Sequence, residues 1–283
     1  MTQIVACIDG SVMSGAVCDA AAWASQRAQA PLKLLHVLEK NDVPAAATLA
    51  GNIGLGSREN LLLELAELDE KRNKLALEHG RDLLDDAEIR SKADGAIAVT
   101  KQQRHGHLLN TLIEGQDDIR LLVIGRQGNS HKPLAHTIGS HLDDVIRSLH
   151  KPILVAMNDF KAPQSFMVAF DGSETAQRAL DAYANSTVLV GLPCHLVMVG
   201  HDDEAHQQKL ESAASLLRSR DFEVTVARLS GDVQSALAAY QVQHDIGLMV
   251  MGAYGHSRIR QFFVGSHTRK MVSESQIPLL LLR

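Results

Sequence analysis

Cysteine is nearly absent from this chain: Cys7, Cys18 and Cys194 are the three among 283 residues. An odd count without metal-type spacing points to a reducing compartment and away from a disulfide framework. A surplus of positive charge is missing too. The net charge of −5 gives no support for a general polyanion-binding surface, so no nucleic-acid partner is expected. A local anion site stays open, because backbone N–H groups can hold an anion without net positive charge. No apolar run approaches the ~18–20 residues that a membrane helix needs. Residues 1–9 lack the basic start and apolar stretch of a secretory signal. The expected setting is cytoplasmic, with no membrane partner.

What is present is a globular composition, 45% hydrophobic and 22% charged, on a chain long enough for two domains with a core each. The main signal is an internal repeat that spans the chain. Ile4-Val5-Ala6-Cys7-Ile8-Asp9-Gly10-Ser11 is echoed by Phe166-Met167-Val168-Ala169-Phe170-Asp171-Gly172-Ser173. Each is an apolar run ending in Asp-Gly-Ser, which reads as a buried strand entering a turn and a helix cap. Alanine-rich helical stretches follow at about 14–29 and 175–189, then apolar strands at 32–38 and 195–200. Leu121-Leu122-Val123-Ile124-Gly125 matches Leu248-Met249-Val250-Met251-Gly252, and Lys151-Pro152-Ile153-Leu154-Val155 matches Ile277-Pro278-Leu279-Leu280-Leu281. Apolar strands alternating with helices indicate a parallel sheet covered on both faces. The fold class expected is α/β, with about five strands and four helices in each of two tandem units, 1–157 and 165–283. The polar and proline-containing stretch at about 157–165 reads as the linker.

The halves differ in length. Asp9 to Gly125 spans 116 positions and Asp171 to Gly252 spans 81, so the first half carries about 35 extra residues. Comparison of the halves places them at about 41–74. This stretch opens with small residues, 44–56, and continues as a leucine-rich helix at about 59–84. Leu61, Leu65, Leu68, Leu75 and Leu83 give it an apolar stripe that suits packing on the sheet or a partner. A lid over the first crevice is the other reading.

The sharpest chemical motif is Gly252-Ala253-Tyr254-Gly255, nine residues, then Gly265-Ser266. It follows a strand and opens a helix. Glycines permit positive φ and close backbone approach, so successive N–H groups can converge on an anion. The helix start at Ser266 adds a positive dipole end and a hydroxyl. Glycines at a strand end can equally serve only as turns. The first half repeats the pattern as Gly125-Arg126-Gln127-Gly128, ten residues, then Gly139-Ser140, with Pro133 in the longer loop.

On these residues the whole chain, the insert aside, resembles a tandem universal stress protein of the ATP-binding type. Gly252, Gly255, Gly265 and Ser266 match that family's pattern Gly-x2-Gly-x9-Gly-(Ser/Thr), and Asp171 matches its adenosine-contacting aspartate. The resemblance implies two five-stranded parallel-sheet α/β sandwiches, adenine nucleotide alpha hydrolase-like, in strand order 3-2-1-4-5. The crevice between strands 1 and 4 is then the switch point where open α/β sheets bind ligands. By the same resemblance, an adenine would lie near Ala169, Asp171 and Val199. Met251, Gly252, Tyr254, Gly255, Gly265, Ser266 and His267 would line ribose and phosphates. The weaker first-half set is Cys7, Asp9, Val37, Ile124, Gly125, Gln127, Gly128, Gly139, Ser140 and His141. The implied cofactor is ATP, with or without Mg2+. The implied assembly is a pseudo-dimer of the two halves, in which the apolar last strands at 153–156 and 279–282 can pair. A homodimer of whole chains is a further arrangement the family allows. No feature names a protein partner.

Each of these residues has a plainer role open to it. Asp9, Asp171, Ser140 and Ser266 can simply cap turns and helices. Tyr254, Arg258 and Arg260 can lie solvated on the surface. His131, His136 and His141, or His105 with His107, form no zinc helix motif, so no metal is expected. Residues 51–57 have the glycine spacing of a Walker loop without its lysine. No acid or base is in evidence for the γ-phosphate, and Asp9 and Asp171 are expected at the adenosine end. Binding with little or no catalysis is therefore preferred. A weak ATPase and a nucleotide-free dimeric scaffold are the alternatives.

Overall fold

The computed structural model describes residues 2–39, 55–128, 140–200, 203–253 and 266–282, with side chains for all of these except 55–63, 140, 266 and 267. The first half runs β1 (Gln3–Cys7), α1 (Ser14–Ala28), β2 (Leu32–Leu38), α2 (Leu55–Ala93), β3 (Thr100–His105), α3 (Leu108–Glu114), β4 (Ile119–Gly125), α4 (Ser140–Ser148) and β5 (Ile153–Ala156). The second runs β6 (Phe166–Ala169), α5 (Glu174–Ala184), β7 (Cys194–Val199), α6 (Glu204–Arg218), β8 (Val224–Leu229), α7 (Val233–Gln243), β9 (Leu248–Gly252), α8 (Ser266–Glu274) and β10 (Leu279–Leu282).

The ten strands form one sheet in the order β3-β2-β1-β4-β5-β10-β9-β6-β7-β8. Each half keeps the order 3-2-1-4-5 expected from the resemblance, and the two meet head to head. Pairing within each half is parallel. The single antiparallel seam joins β5 to β10, with Leu280 opposite Leu154. Ile153, Leu154, Leu279 and Leu281 at the seam are at most 2% exposed, each side chain worth about 1.5–3 kcal/mol of burial. An edge that would template aggregation is thereby closed inside the chain.

Helices cover both faces, which explains why β1, β4 and β9 are apolar on both sides rather than alternating. One core layer gathers under α1, α5 and α6, and the other under α4, α7 and α8. On α1, Ala20, Ala21 and Ala24 are fully buried, and their small size brings the helix close to the sheet. The helix stops at Gln29, whose φ of 48° places its N–H on the carbonyls of Gln26 and Ser25. Buried Ser25 ties the turns together: its Oγ donates to Ala30 O (2.6 Å) and accepts from Ile97 N (3.0 Å).

Two local expectations change. The helix after Asp171 ends at Ala184 rather than near 189, because Asn185 leaves the helical region and its Nδ2 bonds back to Asp181 O at 2.7 Å. The leucine-rich helix is longer, Leu55–Ala93, and its leucine stripe divides: Leu83 packs on the core, while Leu68 and Leu75 turn away from the sheet. Leu68 and Leu75 are 56% and 65% exposed. The sheet-facing positions are instead Gly80, Leu84, Ala87 and Ser91. At Gly80 no side chain fits, since a Cβ would come within 2.7 Å of His36 Cδ2.

Arginines add to the seam. Arg126 Nη1 donates to Ser273 O (3.2 Å) and Ser275 O (3.0 Å) at the C-terminus of α8. Arg120 Nη2 donates to Thr187 Oγ1 at 2.9 Å, and Arg27 Nε to Val188 O at 3.0 Å. Trp23 packs against Phe160 with ring centroids 5.8 Å apart.

Candidate functional site

Each half has a switch point where β1 or β6 sends its neighbours off to opposite sides, β2 and β4 or β7 and β9. At the carboxyl end of the central strand the chain must turn sharply into a helix. Ile8 N and Phe170 N continue the ladder by one bond, to Leu35 O and Val197 O, both 2.9 Å. The aspartate comes next. Asp9 Oδ1 accepts from Ser11 N (3.0 Å) and Ser14 Oγ (3.2 Å), and Asp171 Oδ1 accepts from Ser173 N (2.9 Å). Gly10 and Gly172 between them have φ of 73° and 70°, a region where a Cβ costs about 1–2 kcal/mol.

Both aspartates thus hold their own turns, the plainer role open to them, and both still rim the crevice. Asp171 is exposed, and its Oδ2 has no hydrogen bond among the described residues. Asp9 is half-buried, and a Cβ on Gly128 would lie 3.0 Å from its Oδ2. Gly128 therefore lets the loop after β4 press against that carboxylate. Cys7 and Ala169 occupy matching places on the central strands, as do Val37 and Val199 on the second. Burial, helped by the charge of Asp9, pushes the Cys7 thiol up to about 12, so it is a wall and not a nucleophile.

The glycines ending β4 and β9 answer to packing. A Cβ on Gly125 would meet Met13 Cβ at 2.8 Å, and one on Gly252 would meet Thr175 Cγ2 at 3.1 Å and Thr175 O at 3.3 Å. These strand ends touch the first turn of α1 and of α5, so their glycines serve close approach whatever else binds there. Ile124 and Met251 precede them, the first buried and the second half-buried. Gln127 is half-buried beside Gly128. Ser140, Ser266 and His267 stand in the first turns of α4 and α8, at helix N-termini. Tyr254, Gly255, Gly265 and Gly139 lie outside the described residues, as do Arg258 and Arg260.

His141 is drawn to a partner that the sequence did not reveal. Its Nε2 lies 3.2 Å from Glu39 Oε2, while Glu39 Oε1 accepts from Leu108 N at 3.3 Å. Glu39, just past β2, so places a carboxylate at the mouth of the first crevice. The matching sequence position in the second half is His201. Three other residues shape these turns from a distance. His36 Nδ1 donates to Ile8 O at 2.6 Å. Leu83 of α2 lies against Gly10, and Lys209 Nζ of α6 donates to Gly172 O at 3.2 Å. Sequence separation hid all of them, since none falls in a motif. Among the described residues, no group of three His, Cys, Asp or Glu is arranged to hold a metal ion, and no helix is long and apolar enough to cross a membrane.

Comparison with known proteins agrees with this geometry. Residues 1–156 and 163–283 each match the universal stress protein family. A universal stress protein from Synechocystis sp. is 32% identical over 287 residues, covering 100% of both chains. The crystal structure of a universal stress protein from Archaeoglobus fulgidus superposes with a TM-score of 0.71 at 17% identity, covering 99% of this chain and 98% of that one. Two such domains in tandem, mirrored across one antiparallel seam, make this chain a member of the universal stress protein family.

Proposed function

We propose that the chain is an ATP-binding module of the stress-response or signalling kind, acting in the cytoplasm with little or no catalysis. The observation that carries this reading is the exposed Asp171, held in a Gly-Ser turn at the switch point with one carboxylate oxygen unpartnered among the described residues. That oxygen suits the hydroxyls or amino group of an adenosine. Ala169 and Val199 offer an apolar floor beside it, and the helix N-terminus at Ser266 suits phosphate. Mg2+, when present, would accompany the phosphates; the chain supplies no carboxylate cluster for it among the described residues.

The second half is the stronger site on electrostatic grounds. Glu39 at the mouth of the first crevice opposes a polyphosphate, whereas the second half has histidine at the matching position. Like charges repel, so the Glu39 carboxylate works against a polyphosphate at the first crevice and not at the second. The seam between β5 and β10 already occupies the last-strand edges, so a homodimer of whole chains must use another surface. Mass spectrometry of small molecules released from protein purified without added ligand tests the reading. An adenine nucleotide is expected at no more than about one equivalent per chain. Recovery of none, together with no uptake of added ATP, would instead support the nucleotide-free scaffold. Phosphate release that survives repeated purification and vanishes in Gly265→Asp would support the weak ATPase.

A further inference from the structure

In the second half, the face of the sheet under α7 is closed by an aromatic plug. Tyr240 is buried, its ring edge-on to His195 at 5.7 Å and its hydroxyl 2.9 Å from His195 Nδ1. His244 lies against the same ring at 4.1 Å. The strand registers identify the corresponding residues of the first half. Val5 pairs with Lys33 as Met167 pairs with His195, so Lys33 stands where His195 does. Counting from the buried Leu112 of α3 and Leu237 of α7, Gly115 falls where Tyr240 stands.

The plug is missing there. α3 has 7 residues against 11 in α7, and a single 3-10 turn, Gln116–Asp118, leads into β4. A cavity of about 240 Å³ opens in its place, bounded by Lys33 and Gly115. Its floor is apolar, from Val5, Leu35, Leu112 and Ile119. Its rim has changed character: Gln102 and Arg104 replace Ala227 and Leu229 of β8, Glu114 replaces Ala239 of α7, and Gln3, Thr111 and the carboxylate of Asp118 complete it. Arg104 is satisfied by Glu114 at 3.1 Å. Lys33, half-buried, has no hydrogen-bond or ion-pair partner among the described residues. Such an ammonium, beside an apolar floor that a phenol ring covers in the other half, suits a flat anion whose charge meets Lys33 and whose far edge can donate to Asp118.

We propose that this cavity binds a small aromatic acid, of about the size of hydroxybenzoate, whose ring takes the place of the Tyr240 ring and whose oxyanion meets Lys33 Nζ. The site is separate from the two switch-point crevices, since it lies at the opposite, amino-terminal end of β1 and β2.

The test is calorimetric titration of para-hydroxybenzoate into the full chain. Saturable binding at one site per chain is expected, with a Kd of about 1 mM or tighter. Lys33→Met should weaken it about ten-fold or more, and Gly115→Tyr should abolish it by restoring the plug. Gly115 has a φ of −99°, and a Cβ there meets only Thr111 O at 3.6 Å, so a side chain can start from this position without backbone strain. Asp9→Ala and Asp171→Ala should bind the probe as the parent does. The proposal is overturned by absence of saturable binding below about 10 mM, or by binding that survives Gly115→Tyr. Unchanged affinity in Lys33→Met overturns it even if the tyrosine variant fails to fold. Loss of the probe in either aspartate variant would place it in a switch-point crevice and overturn the assignment as well.

Discussion

Replacing Arg126 by alanine should weaken the union of the two halves. Arg126 sits in the first glycine loop, directly after β4, yet its guanidinium reaches across the seam to the last carbonyls of α8. Burial pulls that guanidinium below its ordinary value without approaching neutrality, since arginine stays charged. A hydrogen bond to a charged group contributes about 1.5–3 kcal/mol, and the cation also meets the negative end of the α8 dipole. Both bonds leave from one nitrogen and the desolvation cost is recovered, so a net loss of about 2 kcal/mol is the reasonable total. For a chain of this size that corresponds to a fall in Tm of roughly 3–4 °C. Urea unfolding monitored by Trp23 fluorescence in the first half and by circular dichroism overall is the assay. Trp23 is the one tryptophan of the chain and packs beside the linker residue Phe160. Lys92→Ala, which removes an exposed i,i+4 pair with Glu88, is the control and should cost about 0.5 kcal/mol or less. An Arg126 variant no less stable than that control would refute the clamp.

Other outcomes follow from the same packing. Gly125→Ala, forced to 2.8 Å from Met13 Cβ, should cost about 1–3 kcal/mol in urea unfolding; Gly252→Ala, at 3.1 Å from a threonine methyl, should cost less. Burial first, and the neighbouring His244 second, hold His195 below its ordinary value. Its contribution is therefore intact above the unfolded value of about 6.5 and is lost as pH falls through the lowered folded value. A stability-pH profile of parent against His195→Gln should show the parent's extra loss confined to that acid window. Glu39→Gln removes the carboxylate at the first crevice and should strengthen any nucleotide binding there, read in an Asp171→Ala background; no gain would remove the electrostatic reason given for the asymmetry.

The sequence made the architecture readable because its repeat is carried by strands. Each apolar run has a twin at the same place in the other half, and buried parallel strands tolerate little else. The turn residues were legible for the same reason: Gly10 and Gly172 take positive φ, and the Asp-Gly-Ser pattern supplies both the turn and its acceptor. The face of α2 was not legible. Its leucines suggested a packed stripe, but close approach to His36 and Gln103 selects Gly80, and the buried face continues through Leu84, Ala87 and Ser91. Arg126, Glu39 and Lys33 also stayed hidden. Their meaning comes from partners 147, 102 or more positions away, or from the absence of a side chain at Gly115. Local pattern cannot report a contact that only the assembled sheet creates.

The most direct check on nucleotide recognition is ATP titration into the parent and into Asp171→Ala. Saturable binding by the parent, weakened in the variant by at least about 1 kcal/mol, roughly five-fold, is the expected result. Equal affinity in the two, with Asp9→Ala also unchanged, would contradict the assignment of the adenosine end to these turns.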